Sequence, residues 1–252
     1  MKRKECLSTN KQLATSQIDQ TGFFYIPGSV FEALLEPEHW DDFTAHWDAL
    51  NVDEYAIERG IKRKRSYVRL LYKGREKSLQ PYQDHEFFQD KTINQTFGGM
   101  KRNFSQPDDS FITSQALYNI LLFDFNCFPL SQEERNQDWF FGIHQISNYA
   151  DNDSAGLVTP EGIHTDGHLF SAQHFIQSSN IARGGVSRIY DANQCLVKET
   201  SFNQRFDTIL LHDQKMYHDV TPFYPDDKEI KAFRSMLLID FDPVPTGGLN
   251  NE

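Results

Sequence analysis

The stretch His164-Thr165-Asp166 places an imidazole and a carboxylate two positions apart, directly before Gly167. On an extended strand, residues i and i+2 point to the same face, so His164 and Asp166 would aim at one point while Thr165 aims away. Gly167 permits a turn after the pair. Imidazole and carboxylate together suit iron, manganese or zinc. The alternative is a surface pair at a strand end, because a chain with 9 His contains His-x-Asp by chance.

Two positions farther along the chain support the metal hypothesis. His218 lies in the segment Met216–Val220, which is otherwise apolar on the histidine's side. Arg234 lies in an apolar strand, and a buried arginine needs an anion from the chain or from a ligand. His164, Asp166 and His218 would supply three ligands and leave positions open for substrates, as in non-heme iron(II) oxygenases. Arg234 would then hold the far carboxylate of a dicarboxylate co-substrate that chelates the metal.

Further candidates lie on a predicted strand from Arg63 to Tyr72. One face of this strand carries Arg63, Arg65, Tyr67 and Arg69. These arginines either lie in solvent or line an anion site, and the spacing alone favours solvent. His144 lies in another predicted strand, where a hydrogen-bonded core histidine is favoured over a site residue. Arg102 follows a turn at Gly98-Gly99.

The elements that must position these residues change in type along the chain. From residue 139 onward, short apolar segments alternate with turns at intervals of about ten residues, which indicates an antiparallel sandwich or barrel. The predicted helices lie in the N-terminal half. The predicted strands are Gly22–Ile26, Arg63–Tyr72, Met100–Phe104, Trp139–Ser147, His168–Gln177, Val186–Tyr190, Asp207–His212, Met216–Val220 and Ala232–Phe241. The predicted fold class is α+β, mainly β, with a jelly-roll core and N-terminal flanking helices.

The predicted helices follow capping and proline signals. Ser29 can cap a short helix through Leu35, Pro37 suits the start of a second helix, and Ser114 can cap a third. Residues 1–18 are predicted to be a loose N-terminal tail, because they are mostly polar. Residues 19–252 are predicted to form one domain, with a helical flank at about 29–125 and the jelly-roll core at about 139–241.

Composition limits the classes of function. With 252 residues, 38% of them hydrophobic, the chain can bury a sizeable core. The net charge of −11 argues against a nucleic-acid groove or an anionic membrane surface. No apolar run approaches the length of a membrane span, and the polar N-terminus lacks the apolar core of a signal peptide. The three cysteines are widely spaced and fit a reducing compartment. We therefore expect a cytoplasmic protein with a small-molecule partner.

The order His-x-Asp, His and Arg resembles that of the Fe(II)/2-oxoglutarate dioxygenases. More narrowly, the chain resembles the bacterial free L-amino-acid hydroxylases, the group that includes L-isoleucine 4-hydroxylase and the biofilm-stress-and-motility proteins. The similar stretches are Arg63-Lys64-Arg65-Ser66-Tyr67, Gly98-Gly99 with Arg102 and Phe104, Gly142-Ile143-His144-Gln145, His164-Thr165-Asp166, Gly184-Gly185, His218-Asp219-Val220-Thr221-Pro222 and Phe233-Arg234. Val186 departs from the pattern, since the resemblance implies an acidic residue there. Whether the substrate is isoleucine therefore stays open.

The resemblance implies a double-stranded β-helix (cupin-like) core that uses Fe(II), 2-oxoglutarate and O2. It implies hydroxylation, or sulfoxidation, of a free L-amino acid with an aliphatic or thioether side chain, with release of succinate and CO2. His164, Asp166 and His218 would be the catalytic metal ligands, and Arg234 would bind 2-oxoglutarate. The candidate substrate-binding residues are Arg65, Tyr67, Arg102 and His144, with Arg65 or Arg102 pairing with the substrate carboxylate.

Two other interpretations stay open. The chain could be a non-catalytic or zinc-binding jelly-roll protein that binds a ligand, although a buried Arg234 is then hard to explain. It could also be a cupin-type metalloenzyme that does not use 2-oxoglutarate and takes His212 or His174 as a fourth ligand. The sequence identifies neither the amino acid nor the atom oxidised, and it leaves a homodimer open.

Overall fold

The computed structural model describes residues 2–33, 40–84 and 86–245. The helices are α1 (Lys2–Thr21), a 3-10 helix (Gly28–Ala33), α2 (Trp40–Ala45), α3 (Glu54–Ile57), α4 (Asp109–Ile112), α5 (Gln115–Cys127) and α6 (Gln132–Arg135). The strands are β1 (Phe23–Ile26), β2 (Arg63–Lys73), β3 (Ser78–Pro81), β4 (Glu86–Phe88), β5 (Lys101–Asn103), β6 (Asp138–Ala150), β7 (Phe170–Ser179), β8 (Ile181–Arg183), β9 (Ser187–Tyr190), β10 (Leu196–Thr200), β11 (Thr208–Leu211), β12 (Tyr217–Val220), β13 (Tyr224–Pro225) and β14 (Ala232–Pro243).

A seven-stranded sheet in the order β1-β11-β7-β14-β6-β2-β3 is the largest element of the fold. All its neighbouring strands pair antiparallel. A three-stranded sheet, β10-β9-β12, and two pairs, β13-β8 and β4-β5, complete the strand pairing of the described residues. The prediction of a mainly β, antiparallel fold with helices in the N-terminal part of the chain is confirmed.

Alternation along the strands gives the large sheet two chemically different faces. On one face, Val68 pairs with Ile143 and Ile143 with Ile239, and this face packs with the helices in the main hydrophobic core. On the other face, Arg65 pairs with Ile146 and Ile146 with Met236, and these side chains border a cavity. The register across β2, β6 and β14 therefore brings the candidate site residues to one side of the sheet.

Helix α1 corrects the prediction of a loose tail over residues 1–18. From Lys2 the chain is helical, and Ala14 and Ile18 are completely buried against the main core. The hydroxyl of Thr15 also donates to the backbone carbonyl of Cys127, at 3.0 Å, which ties α1 to the end of α5. Leu7, Ala14 and Ile18 form a narrow apolar stripe at helical spacing, and the polar composition around them hid this stripe.

The other predicted helices are confirmed in part. Ser114 caps α5 by accepting from the N–H of Leu117 at 3.2 Å. The segment at Ser29 is a 3-10 helix, and the predicted helix end at Leu35 and helix start at Pro37 lie outside the described residues. Within the described part of the chain, no helix has both the length and the apolar character needed to cross a bilayer.

Candidate metal centre

Backbone pairing brings the two candidate metal histidines together. His164 and His218 form an isolated antiparallel bridge. The N–H of His164 donates to the carbonyl of His218 at 3.0 Å, and the N–H of His218 donates to the carbonyl of His164 at 2.8 Å. Their ring centroids are 4.4 Å apart. The chain segment before β7 and strand β12 therefore hold the two imidazoles side by side.

Asp166 completes a three-residue group. Its Oδ1 is 3.5 Å from Nε2 of His164, and its Oδ2 is 3.3 Å from Nε2 of His218. One donor atom from each of the three residues lies within 4.8 Å of the others. Nδ1 of His164 is 2.9 Å from the carbonyl oxygen of Gly162. Because a carbonyl only accepts, Nδ1 carries the proton and Nε2 is left for a metal. This donor set fits Fe(II).

Asp213 shapes the loop that carries Asp166. One of its oxygens accepts from the N–H of Asp166 at 3.0 Å, and the other accepts from Gly167 at 2.8 Å and His168 at 3.0 Å. Gly167 has a φ of +87°, and a Cβ there would lie 3.0 Å from Cγ2 of Ile93. Both the backbone conformation and the space therefore favour glycine directly after Asp166.

The candidate ligands influence each other's ionisation. Burial lowers the pKa of His164, but the hydrogen bond and the charge of Asp166 outweigh it and raise that pKa to about 9. Burial raises the pKa of Asp166, but His218 and His164 outweigh it and hold the pKa well below its usual range. Convergent imidazole and carboxylate groups attract protons for the same reason that they suit a divalent cation, so metal binding must displace protons.

Arg234 borders the same cavity and is 3% exposed. Its NH2 donates to Oγ of Ser187 at 3.1 Å, and its guanidinium lies over the ring of Phe202 at 5.5 Å. Among the described residues, no carboxylate forms an ion pair with Arg234. Burial lowers its pKa to about 10. The expectation of a buried Arg234 without an acidic partner in its own strand is confirmed, and an anionic ligand would stabilise it.

Arg65 and Arg102 form a second cationic part of the cavity wall. Arg65 lies over the ring of Phe104 at 4.4 Å and donates to Nδ1 of His144 at 2.8 Å. Arg102 is 1% exposed and donates to Oε1 of Gln89 at 2.8 Å. In residues 2–33, 40–84 and 86–245, neither guanidinium forms an ion pair with a carboxylate. The register and the β4-β5 pair therefore place two unpaired cations at one cavity.

The expectation that the arginines of β2 lie in solvent is wrong. Arg63 and Arg65 are each 7% exposed. Arg63 donates to Asp53 at 2.7 Å, a partner that precedes β2 and does not lie on the strand. Burial and then the charge of Arg63 lower the pKa of Arg65 to about 9 and that of Arg102 to about 10. Spacing within one strand could not reveal the segments that cover these side chains.

His144 is both a hydrogen-bonded buried histidine and a cavity residue. Because the guanidinium of Arg65 only donates, Nδ1 of His144 accepts and its Nε2–H donates to Asp240 at 2.9 Å. Burial holds the pKa of His144 well below its usual range, so the ring is neutral. The ring of Tyr67 stacks on His144 at 4.4 Å and does not border the cavity. Tyr67 thus supports the ring of His144.

Three site residues were missed from sequence. Asp213 shapes the loop that carries Asp166, here called the metal loop. Gln89 donates to the carbonyl of Asp166 at 2.9 Å and accepts from Arg102, so it joins the metal loop to the cationic wall. Oε1 of Glu161 is 3.3 Å from Nε2 of His164. Only Glu161 had a sequence signal, because it precedes His164 by three residues.

Neither alternative fourth ligand lies in the group of His164, Asp166 and His218. His174 is completely buried, with Nε2 at 2.7 Å from Asp124 and Nδ1 at 2.7 Å from the hydroxyl of Thr208. His212 packs its ring against Phe170 at 4.8 Å. Val186, the departure from the family pattern, is not among the described residues that border the cavity. These positions therefore offer no further ligand to the triad.

A sequence model of the 2OG-Fe dioxygenase family matches residues 44–240. An L-isoleucine-4-hydroxylase from Bacillus thuringiensis is 28% identical over 227 residues, which cover 89% of this chain and 92% of the relative.

Two solved structures share the fold. The crystal structure of IDO from Bacillus thuringiensis aligns with a TM-score of 0.77 and 22% identity over 93% of this chain and all (100%) of the other. The structure of a bsmA homologue from Methylobium petroleophilum PM1 aligns with a TM-score of 0.80 and 24% identity, over 96% of this chain and 95% of the other. At these identities the two structures bear on the fold alone.

Proposed function

The chain belongs to the 2OG-Fe dioxygenase family. Because its relative is named L-isoleucine-4-hydroxylase, we propose that it oxidises a free L-amino acid with an aliphatic or thioether side chain. As a 2-oxoglutarate-dependent dioxygenase, it uses Fe(II) and 2-oxoglutarate. The proposed reaction places one atom of O2 on a carbon or sulfur of the substrate and the other in succinate, with release of CO2.

The proposed metal ligands are His164, Asp166 and His218. The iron would supply the activation of O2 and the oxidation of the substrate. The protein's part is to hold two neutral imidazoles and an ionised carboxylate in place. The hydrogen bond from Nδ1 of His164 to the carbonyl of Gly162 fixes the imidazole ring. The three backbone hydrogen bonds to Asp213 fix the loop that carries Asp166.

Arg234 is the proposed partner of the far carboxylate of 2-oxoglutarate. The planar guanidinium can form two parallel hydrogen bonds to a carboxylate. In the described residues, only the neutral hydroxyl of Ser187 accepts a hydrogen bond from Arg234. The apolar side chains of Met236 and Leu238, which share its strand face, border the same cavity and help exclude water.

Arg65 and Arg102 are the proposed partners of the substrate carboxylate, and His144 holds Arg65 in place. The observation that carries the proposal is one cavity with three buried arginines, Arg65, Arg102 and Arg234, that lack carboxylate partners among the described residues. One cavity can then bind two separate carboxylates, one from the co-substrate and one from the substrate. The name of the relative, L-isoleucine-4-hydroxylase, supports an aliphatic amino acid.

We also propose that the seven-stranded sheet and the β10-β9-β12 sheet are the two halves of a double-stranded β-helix. The bridge between His164 and His218 in β12 supports this assignment, because the metal group then lies where the two sheets approach. Residues of β14 and β12 border one cavity, as two facing sheets require.

The test is succinate release from 2-oxoglutarate with Fe(II) and a panel of L-isoleucine, L-leucine, L-valine and L-methionine. We expect at least one amino acid to stimulate succinate release and to gain one oxygen atom by mass spectrometry. The corresponding amino-acid amide should be a poor substrate, since it lacks the carboxylate. In Arg102→Ala, the amino acid should no longer stimulate succinate release, while the slow succinate release that occurs without substrate should remain. Undiminished turnover of the amide would contradict the free-amino-acid assignment.

A further inference from the structure

Glu161 lies in the turn before the metal ligands and borders the cavity. Its Oε1 is 3.3 Å from Nε2 of His164, and its Oε2 is buried without a hydrogen-bond partner. A buried carboxylate oxygen without a donor is unfavourable and needs an explanation. Glu161 therefore presents one buried carboxylate oxygen, Oε2, that lacks a hydrogen-bond donor.

Of the other two carboxylates that border the cavity, neither has a buried oxygen without a hydrogen-bond partner among the described residues. Asp166 lies between the two ligand imidazoles. Asp240 accepts from His144 at 2.9 Å and lies 3.2 Å from Nε2 of His168. Glu161 is also absent from the group of mutually close metal donors, so the geometry does not make it a fourth ligand. Among the described cavity residues, it is the carboxylate best placed to accept a hydrogen bond from a ligand.

Glu161 borders the same cavity as Arg65 and Arg102. Burial and then Arg63 lower the pKa of Arg102, while Asp53 and Glu161 act in the opposite direction. Glu161 and Arg102 are thus close enough to interact, yet within the described part of the chain no ion pair joins Glu161 to Arg102 or Arg65. A ligand with an anionic and a cationic group on one carbon would satisfy both sides. An α-amino acid has this arrangement.

We propose that Glu161 binds the α-ammonium group of the amino-acid substrate, while Arg65 or Arg102 binds its α-carboxylate. This proposal rests on the proposed function, since it requires a free amino acid as the substrate. Fixing both groups of the α-carbon leaves the side chain as the part that reaches the metal. The pair also selects against deaminated acids and N-acylated amino acids, which offer no ammonium group to Glu161.

The experiment compares wild type with Glu161→Gln, which keeps the size of the side chain and removes its charge. The probes are L-isoleucine, L-leucine and L-methionine, each beside its deaminated acid, such as 3-methylpentanoate for isoleucine. A charge-assisted hydrogen bond predicts a KM for the amino acid that is roughly ten- to a hundredfold higher in Glu161→Gln. The KM of the deaminated acid should be the same in both proteins. Glu133→Gln, an exposed site on α6, is the matched control.

Iron(II) affinity of Glu161→Gln is measured beside that of the control Glu133→Gln, whose iron(II) affinity and succinate release without substrate should equal those of wild type. An unchanged KM for the amino acid would overturn the proposal while leaving the proposed function in place. Loss of iron binding would make Glu161 a metal ligand and overturn it as well. If no amino acid stimulates wild type, the proposed function fails and this proposal fails with it. Should Glu161→Gln not fold, equal KM values of wild type for an amino acid and its deaminated acid would still overturn the proposal.

Discussion

Arg234 is a single residue whose neighbours explain its chemistry. Its charge is buried beside a hydroxyl and an aromatic ring. Arg234→Lys keeps the charge but loses the planar pair of donors, so the KM for 2-oxoglutarate should rise roughly ten- to a hundredfold. Iron(II) affinity should stay the same. Arg183→Lys, at an exposed site on β8, is the control. An equal KM for 2-oxoglutarate in Arg234→Lys and wild type would exclude Arg234 as the 2-oxoglutarate partner.

His168 joins the start of β7 to the end of β14. Its Nδ1 is 2.6 Å from Asp242, and its Nε2 is 3.2 Å from Asp240. Burial lowers the pKa of His168, but Asp240 and then Asp242 outweigh it and raise that pKa to about 10. Because the folded-state pKa is raised, the stabilisation is fully present below about pH 6.5 and is lost as the pH rises to about 10.

His168→Gln should therefore lower the free energy of unfolding of the metal-free protein by about 1.5–3 kcal/mol at pH 6. The difference from wild type should shrink steadily between pH 6.5 and pH 10, since wild type loses the same charge there. Urea denaturation after chelator treatment, at a series of pH values, measures this difference. A difference that does not change with pH would show that the charge of His168 does not stabilise the fold.

At the scale of elements, α1 stabilises the fold by packing one stripe on the main core. Ile18 is completely buried and Leu13 on the same helix is 50% exposed. Ile18→Ala should lower the free energy of unfolding by about 2–4 kcal/mol, because it leaves a cavity in the core. Leu13→Ala should change it by less than about 0.5 kcal/mol. Denaturant unfolding measures both, and equal small effects would mean that α1 is not a stable part of the fold.

The sequence predicted most strands and the groups on each strand face, because alternation within a strand is a local property. Arg65 and Arg234 were placed on the faces that the structure shows. Burial of Arg65 was not predicted, since the covering residues come from distant segments such as the one that carries Phe104. Gln89 and Asp213 were missed for the same reason. Their roles come from contacts to the backbone of the metal loop, and such contacts leave no pattern in sequence.

For the whole molecule, ligand binding and folding are coupled because the triad comes from segments far apart in the chain. A ligand that binds only the folded state at a hundred times its Kd adds about 2.7 kcal/mol of stability. For a chain of this size that corresponds to a rise in Tm of roughly 5–10 °C. We expect Fe(II) alone, without O2, to raise the Tm of wild type, and 2-oxoglutarate to raise it further.

The variants separate the two contributions. Fe(II) should not raise the Tm of His218→Ala. It should raise the Tm of Arg234→Lys as it does that of wild type, while 2-oxoglutarate should raise the Tm of Arg234→Lys by less. Differential scanning fluorimetry under nitrogen measures these shifts. An unchanged Fe(II) rise in His218→Ala would place the metal elsewhere in the molecule.

Asp213 has a consequence for the order of events when the enzyme acquires its metal. Three consecutive amide protons, those of Asp166, Gly167 and His168, are held by one buried carboxylate that belongs to the protein itself. We therefore expect the loop to keep its shape without iron. Hydrogen–deuterium exchange should show these three amides protected in the chelator-treated protein almost as strongly as in the loaded one. Asp213→Asn should speed their exchange in both forms.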